Sequence, residues 1–102
     1  MSKSKKTLLS DDHAVALADL FRLLGDPTRL KIVVSCLRTP LAVSDIADRL
    51  GLSVSLVSHH LRLLKGARLV RADRHGKQVY YKADDLHVRR MVEDMVNHIA
   101  EH

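Results

Sequence analysis

A chain of 102 residues favours one small domain, burying roughly two thirds of its surface. Apolar residues make up 46% of it but aromatic ones only 3%, so the core must be aliphatic, and a second copy of the chain is a natural source of further burial. The 17 Lys and Arg against 12 Asp and Glu give a formal charge of +5, which points to a polyanionic partner, nucleic acid ahead of membrane.

Residues 1–10, MSKSKKTLLS, are basic and polar and read as a flexible tail, leaving 11–102 as the domain. No apolar run is long enough for a signal peptide or a membrane span, so a cytoplasmic protein with no membrane partner is expected. A first helix, capped by Asp11 or Asp12, runs to about Leu24 with Val15, Leu17, Leu20, Phe21 and Leu24 on its apolar face. After the break at Gly25-Asp26-Pro27, Asp26 caps a second helix whose first turn holds Pro27. It extends to Leu37, before Thr39-Pro40, and directs Leu30, Ile32, Val33, Val34 and Leu37 inward. Its Cys36 is the chain's one cysteine, which excludes an intramolecular disulfide and fits a reducing compartment.

Ser44 is placed to cap a short third helix, with Ile46, Ala47 and Leu50 inward and Gly51 ending it. Ser53 starts a fourth, with Val54, Val57, Leu61 and Leu64 at steps of three and four. Two helices across a tight glycine turn form a helix-turn-helix. Leu69, Val70, Val79, Tyr80 and Tyr81 then flank RHGK as strand formers, a hairpin turning at Gly76. A final helix starts near Asp84 or Asp85. The expected fold is mainly α with a small β-hairpin, a winged helix-turn-helix of order α-α-α-α-β-β-α that works as a homodimer.

The second helix of such a unit enters the major groove of double-stranded DNA. Its outward groups are Ser55, Ser58, His59 and Arg62, with Val54 at the edge of the set. Hydroxyls allow close approach to bases and phosphates, and Arg62 and Lys65 suit phosphates. On the hairpin, Arg71, Arg74, His75 and Lys77 bring positive charge to a neighbouring groove or backbone. His60 is expected on the surface or facing DNA with His75. The plainer reading of these charges is a solvated basic face.

The last helix carries Asp85 and His87 near its start and His98 and Glu101 near its end. On an ideal helix His87, His98 and Glu101 share one side, but His87 and His98 lie roughly 16 Å apart along the axis, too far for one ion. Asp85 and His87 converge only if Asp85 sits in the capping turn. An apolar stripe of Val88, Met91, Val92, Met95 and Ile99 runs beside them and calls for a partner. If that partner is the same helix, antiparallel across a two-fold axis, each end of one helix meets the opposite end of the other. Two complete sites result, each with two nitrogens and two oxygens, a set that suits tetrahedral Zn²⁺ with Co²⁺ as its mimic. The plainer reading makes Asp84 or Asp85 an N-cap, His98 a favourable cation near a helix end, and Glu101 an exposed terminal residue.

Along nearly its whole length the chain resembles the ArsR/SmtB family of metal-sensing repressors. LGDPTRLKIV is similar to the family's second-helix signature, SVSLVSHHLRLLKGARLV to its recognition helix and wing entry, and GKQVYYKADD to its second wing strand. Asp-x-His, ten residues, His-x-x-Glu resembles the inter-subunit zinc site on the family's fifth helix. The resemblance implies a homodimer that binds operator DNA when metal-free and leaves it when Zn²⁺ binds Asp85, His87, His98 and Glu101. It also implies that the free ring nitrogen of His98 reaches a backbone carbonyl near Arg68. The chain departs from many relatives where they carry Cys-x-Cys, since Ala42 and Ser44 stand there and no thiolate site forms. Lone Cys36 is expected to pack in the core.

Three alternatives remain. His13 and His102 would add ligands and raise the coordination towards six, as a Ni²⁺ or Co²⁺ sensor requires. A non-sensing DNA-binding module would use zinc only to brace its dimer. A metal-dependent hydrolase is disfavoured, because four protein ligands leave no open position for water.

Overall fold

The computed structural model describes residues 8–102; the remainder of the expected tail, residues 1–7, lies outside the described residues. The elements are α1 (Asp11–Leu24), α2 (Pro27–Ser35), β1 (Leu41–Ala42), α3 (Val43–Leu50), α4 (Val54–Gly66), β2 (Val70–His75), β3 (Gln78–Ala83) and α5 (Leu86–Glu101). This is the expected winged helix-turn-helix with one strand added. No described helix is long and apolar enough to cross a membrane.

The caps explain most of the boundaries. Ser10, rather than Asp11 or Asp12, caps α1, its Oγ accepting the His13 N–H at 3.1 Å. The two carboxylates fall in the first turn instead, where the helix dipole favours negative charge. Asp26 caps α2 as expected, accepting the Arg29 N–H at 2.9 Å, and Pro27 opens the helix. That helix stops at Ser35, short of the expected Leu37, with Cys36 as its C-cap. Ser44 caps nothing: α3 begins at Val43 behind Ala42, which makes no side-chain cap bond. The cause is the unforeseen strand β1, which holds Leu41 and Ala42 extended against Tyr81 and Tyr80 of β3. Gly51 ends α3 at φ +67°, and Ser53 caps α4 by accepting the Leu56 N–H at 3.1 Å.

The sheet order is β1-β3-β2, and β2 and β3 pair from Val70↔Ala83 to His75↔Gln78 around Gly76, at φ +65°. The core lies between α2, α3, α4 and the hairpin base. Ile32, Val33, Ile46, Val57, Leu61, Leu64 and Val70 are all fully buried there. Leu30 and Val34, expected inside, are exposed, because Ile32, Val33 and Cys36 take the inward side of α2. Val54 is exposed as well, one turn outside the Val57–Leu61–Leu64 stripe.

The outer helices are poorly covered. In α1 only Leu24 is buried, and in α5 only Val92. Val15, Leu17 and Phe21 of α1 lie exposed, as do Met95, Val96 and Ile99 of α5. An ion pair from Arg38, in the loop after α2, to Glu93 ties the middle of α5 to the core.

Candidate nucleic-acid interface and metal half-sites

On α4, Val54, Ser55, His59 and Arg62 are exposed and Ser58 is half-buried. Ser55, His59 and Arg62 recur at steps of four and three, so they share the side opposite Val57, Leu61 and Leu64. This outward row is what a recognition helix needs, with short hydroxyls at its N-terminal end and an imidazole and a guanidinium behind. At the wing tip Arg74, His75 and Lys77 are exposed on either side of Gly76. The His75 ring packs edge-on against Tyr80, centroids 5.7 Å apart, which steadies it near the tip. Arg71, further down the strand, pairs with Asp73 at 3.3 Å.

His60 departs from its expected surface position. It is only 8% exposed, on the inner side of α4, and its Nδ1 accepts the Arg29 Nε–H at 3.2 Å. Burial, and then the Arg29 guanidinium, hold its pKa below the ordinary histidine value, so the ring stays neutral. Arg29 also donates from Nη1 to the Leu23 carbonyl at 3.2 Å. The sequence offered one signal for this pair: a ring directly beside outward His59, and one step before inward Leu61, falls on the boundary of the buried stripe.

At the start of α5, Asp85 is the N-cap, and its Oδ1 accepts the Val88 N–H at 2.9 Å. The same oxygen lies 3.9 Å from His87 Nδ1. The capping turn thus brings together two residues that an ideal helix points apart. Both side chains are open, 54% exposed for Asp85 and 97% for His87. At the other end His98 and Glu101 are exposed, and the rings of His98 and His102 stand 4.8 Å apart. Sixteen residues separate the ends of α5, about 24 Å at the usual rise. Among the described residues of one chain, no three His, Cys, Asp or Glu side chains gather around a point where an ion fits.

Between these ends lies an apolar groove of ≈ 430 Å³, walled by Phe21, Leu24 and Leu30 on one side and Met91, Met95 and Ile99 on the other. At the positions where the resemblance would place Cys-x-Cys, Ala42 is buried in β1 and Ser44 is exposed in α3. Cys36 is buried, as expected; its Sγ–H donates to the Ile32 carbonyl at 3.5 Å, and burial pushes the thiol up to about 11. A thiol kept protonated in this way is a poor metal ligand.

A helix pair joined by a glycine turn, an outward polar row on its second helix and a basic hairpin beside it define a winged helix-turn-helix DNA-binding protein. Residues 26–72 match the model of the bacterial regulatory protein, arsR family. The chain belongs to that family. It is similar to the transcriptional repressor SmtB homolog of Synechocystis sp., 38% identical over 94 residues, which cover 92% of this chain and 71% of the relative. It is also similar to the cadmium resistance transcriptional regulatory protein CadC homolog of Staphylococcus aureus, 38% identical over 102 residues, covering 99% of this chain and 84% of that one. Among solved structures, the homodimeric winged helix-turn-helix DNA-binding domain from Mycobacterium bovis superposes with a TM-score of 0.77 at 29% identity, covering 92% of this chain and 89% of that one. These relatives are regulators, which sets the hydrolase alternative aside.

Proposed function

We propose that the protein is a metal-responsive transcriptional repressor that binds operator DNA as a metal-free homodimer and releases it when Zn²⁺ binds between the subunits. Asp85 and His87 of one subunit and His98 and Glu101 of its partner form each site. The observation that carries this reading is the capping turn of α5. Asp85 spends one oxygen on the Val88 N–H, stands 3.9 Å from His87 Nδ1, and keeps its second oxygen for a ligand bond.

Three further points support it. The four side chains are exposed in one chain, and of them only Asp85 is engaged within the fold, through its cap bond to Val88. The apolar groove beside them is the kind of surface that a second copy of α5 covers. A structural relative is named as a homodimer, and two relatives are named for repression and for cadmium resistance. The donor set of two imidazoles and two carboxylates suits Zn²⁺, which these four residues would hold and which would supply a divalent charge at the subunit boundary.

The protein's own part is to hold the two reading heads at a fixed spacing. Ser55, Ser58, His59 and Arg62 of each α4, with Val54 beside them, face successive major grooves, and Arg74, His75 and Lys77 of each wing hold the flanking backbone. A change in how the α5 helices cross alters that spacing. In the metal-bound dimer the His98 ring would donate from its free nitrogen to the Arg68 carbonyl, a bond the single chain does not make, and so carry the change to the end of α4. Arg68 itself stands at φ +61°, a left-handed turn that closes α4.

The test is duplex affinity with and without Zn²⁺, on a DNA sequence enriched from a random library by the metal-free protein. A coupling of about 1–3 kcal/mol, roughly 5- to 150-fold, is expected. Equal affinity in the two conditions rejects sensing and leaves a DNA-binding module with structural zinc. One observation favours a second metal: His102 stands 4.8 Å from His98, near enough to add a nitrogen and serve a six-coordinate Ni²⁺ or Co²⁺ site, with His13 as a further donor. Co²⁺ absorption separates the two, since tetrahedral sites give intense bands and octahedral ones weak bands.

A further inference from the structure

We propose that, given α4 as the DNA-reading helix, Arg29 and His60 are its positioning residues, a joint that locks α4 to α1 and α2 only while the His60 ring is neutral.

Arg29 meets three helices at once. Its backbone N–H is held by Asp26 at the start of α2. Its Nη1 donates to the carbonyl of Leu23, in the last turn of α1, at 3.2 Å. Helix ends leave such carbonyls without partners, so this bond completes α1. Its Nε donates to Nδ1 of His60, in the middle of α4, at 3.2 Å. The joint therefore lies between the end of α1, whose exposed side chains line the dimer groove, and the residues just before and after His60 that face DNA.

His60 can accept from Arg29 only through an unprotonated Nδ1. A proton there removes the acceptor and sets an imidazolium against a guanidinium. The charged or titratable groups facing the ring are Arg29 and Asp26 from α2 and His59 from α4, while α1 contributes the Leu23 carbonyl through Arg29. Burial and Arg29 favour the neutral ring; Asp26 opposes them more weakly. The folded value lies below the ordinary 6.5, so the joint is intact above pH 6.5. As pH falls below 6.5, the unfolded chain takes up the proton first, and stability declines until the folded ring is protonated too. Acid thus weakens the seat of α4.

The test compares the full-length protein with His60→Asn, whose side-chain oxygen keeps the acceptor near the Nδ1 position but does not titrate. Affinity for a duplex enriched from a random library is measured with chelator from about pH 7.5 to about pH 5, under conditions where circular dichroism shows both proteins folded. Wild type is expected to lose affinity more steeply than His60→Asn over that range, by about threefold or more. In parallel, NMR follows the His60 ring and the Ser55–His59 amides. Those amides are expected to move with the His60 titration in wild type and to stay still in His60→Asn.

Parallel affinity profiles for the two proteins, or α4 amides indifferent to the His60 titration, overturn the proposal. If no duplex is enriched at all, the DNA-binding reading has failed, and the NMR arm alone decides the joint.

Discussion

His59 and His60 are adjacent in α4 and alike in chemistry, yet one faces solvent and the other accepts a bond from Arg29. Helical periodicity turns successive residues by about 100°, so neighbours at the edge of a buried stripe part ways, and only the packed partner decides which goes inside. Cys36 was easier to read. One thiol among aliphatic residues has little to do but pack, and its burial in the core agrees. His98 is the residue whose replacement separates sensing from bracing. In the sensor reading, His98→Ala binds the enriched duplex within about threefold of wild type but no longer responds to Zn²⁺, losing the coupling of about 1–3 kcal/mol. Fluorescence anisotropy with and without Zn²⁺ measures both quantities. Joint loss of dimer stability and DNA affinity in that variant favours structural zinc instead.

The helix-turn-helix owes its geometry to a few backbone positions. Gly51 stands at φ +67° with nothing within 4 Å of an added Cβ, so a side chain there meets conformational strain rather than a clash. Gly51→Ala is expected to cost about 1 kcal/mol, and urea unfolding measures it. A loss below a few tenths would mean that the turn relaxes and that its left-handed residue is dispensable. These signals were legible because they are local: a cap, a glycine and an apolar stripe each act within a turn of helix. Strand β1 was not legible. Two residues, Leu41 and Ala42, carry no period, and they are extended only because β3 lies alongside them. The shift of the α3 cap from Ser44 to Ala42 follows from the same pairing. The capping turn of α5 belongs to the legible kind, since Asp85 converges on His87 through its bond to the Val88 N–H.

A single subunit leaves a helical face uncovered. Met95 is 57% exposed and Ile99 75% exposed, at the end of a stripe whose first half, around Val92, is already packed. Such a face is costly in water and is where a second copy of α5 is expected to lie. Ile99→Glu adds a charge to this face without touching the core. It is expected to leave the fold intact by circular dichroism and to shift the protein from dimer to monomer by sedimentation. Since each proposed site draws ligands from two chains, the variant is also expected to lose Zn²⁺ affinity by tenfold or more. A stable Ile99→Glu dimer would move the interface elsewhere.

The order of helices, turn and wing, and the placing of Asp85, His87, His98 and Glu101 at the two ends of α5, could be read from the residues alone, because each rests on interactions between near neighbours. Which apolar residues stay outside was decided by tertiary packing. Leu30 and Val34 have the composition of core residues but lie exposed, because α3 and α4 cover only one side of α2. The same holds for His60, drawn inward by a guanidinium thirty-one positions away. A contact across that distance leaves no periodic trace in the chain, and it exists only once the helices have met.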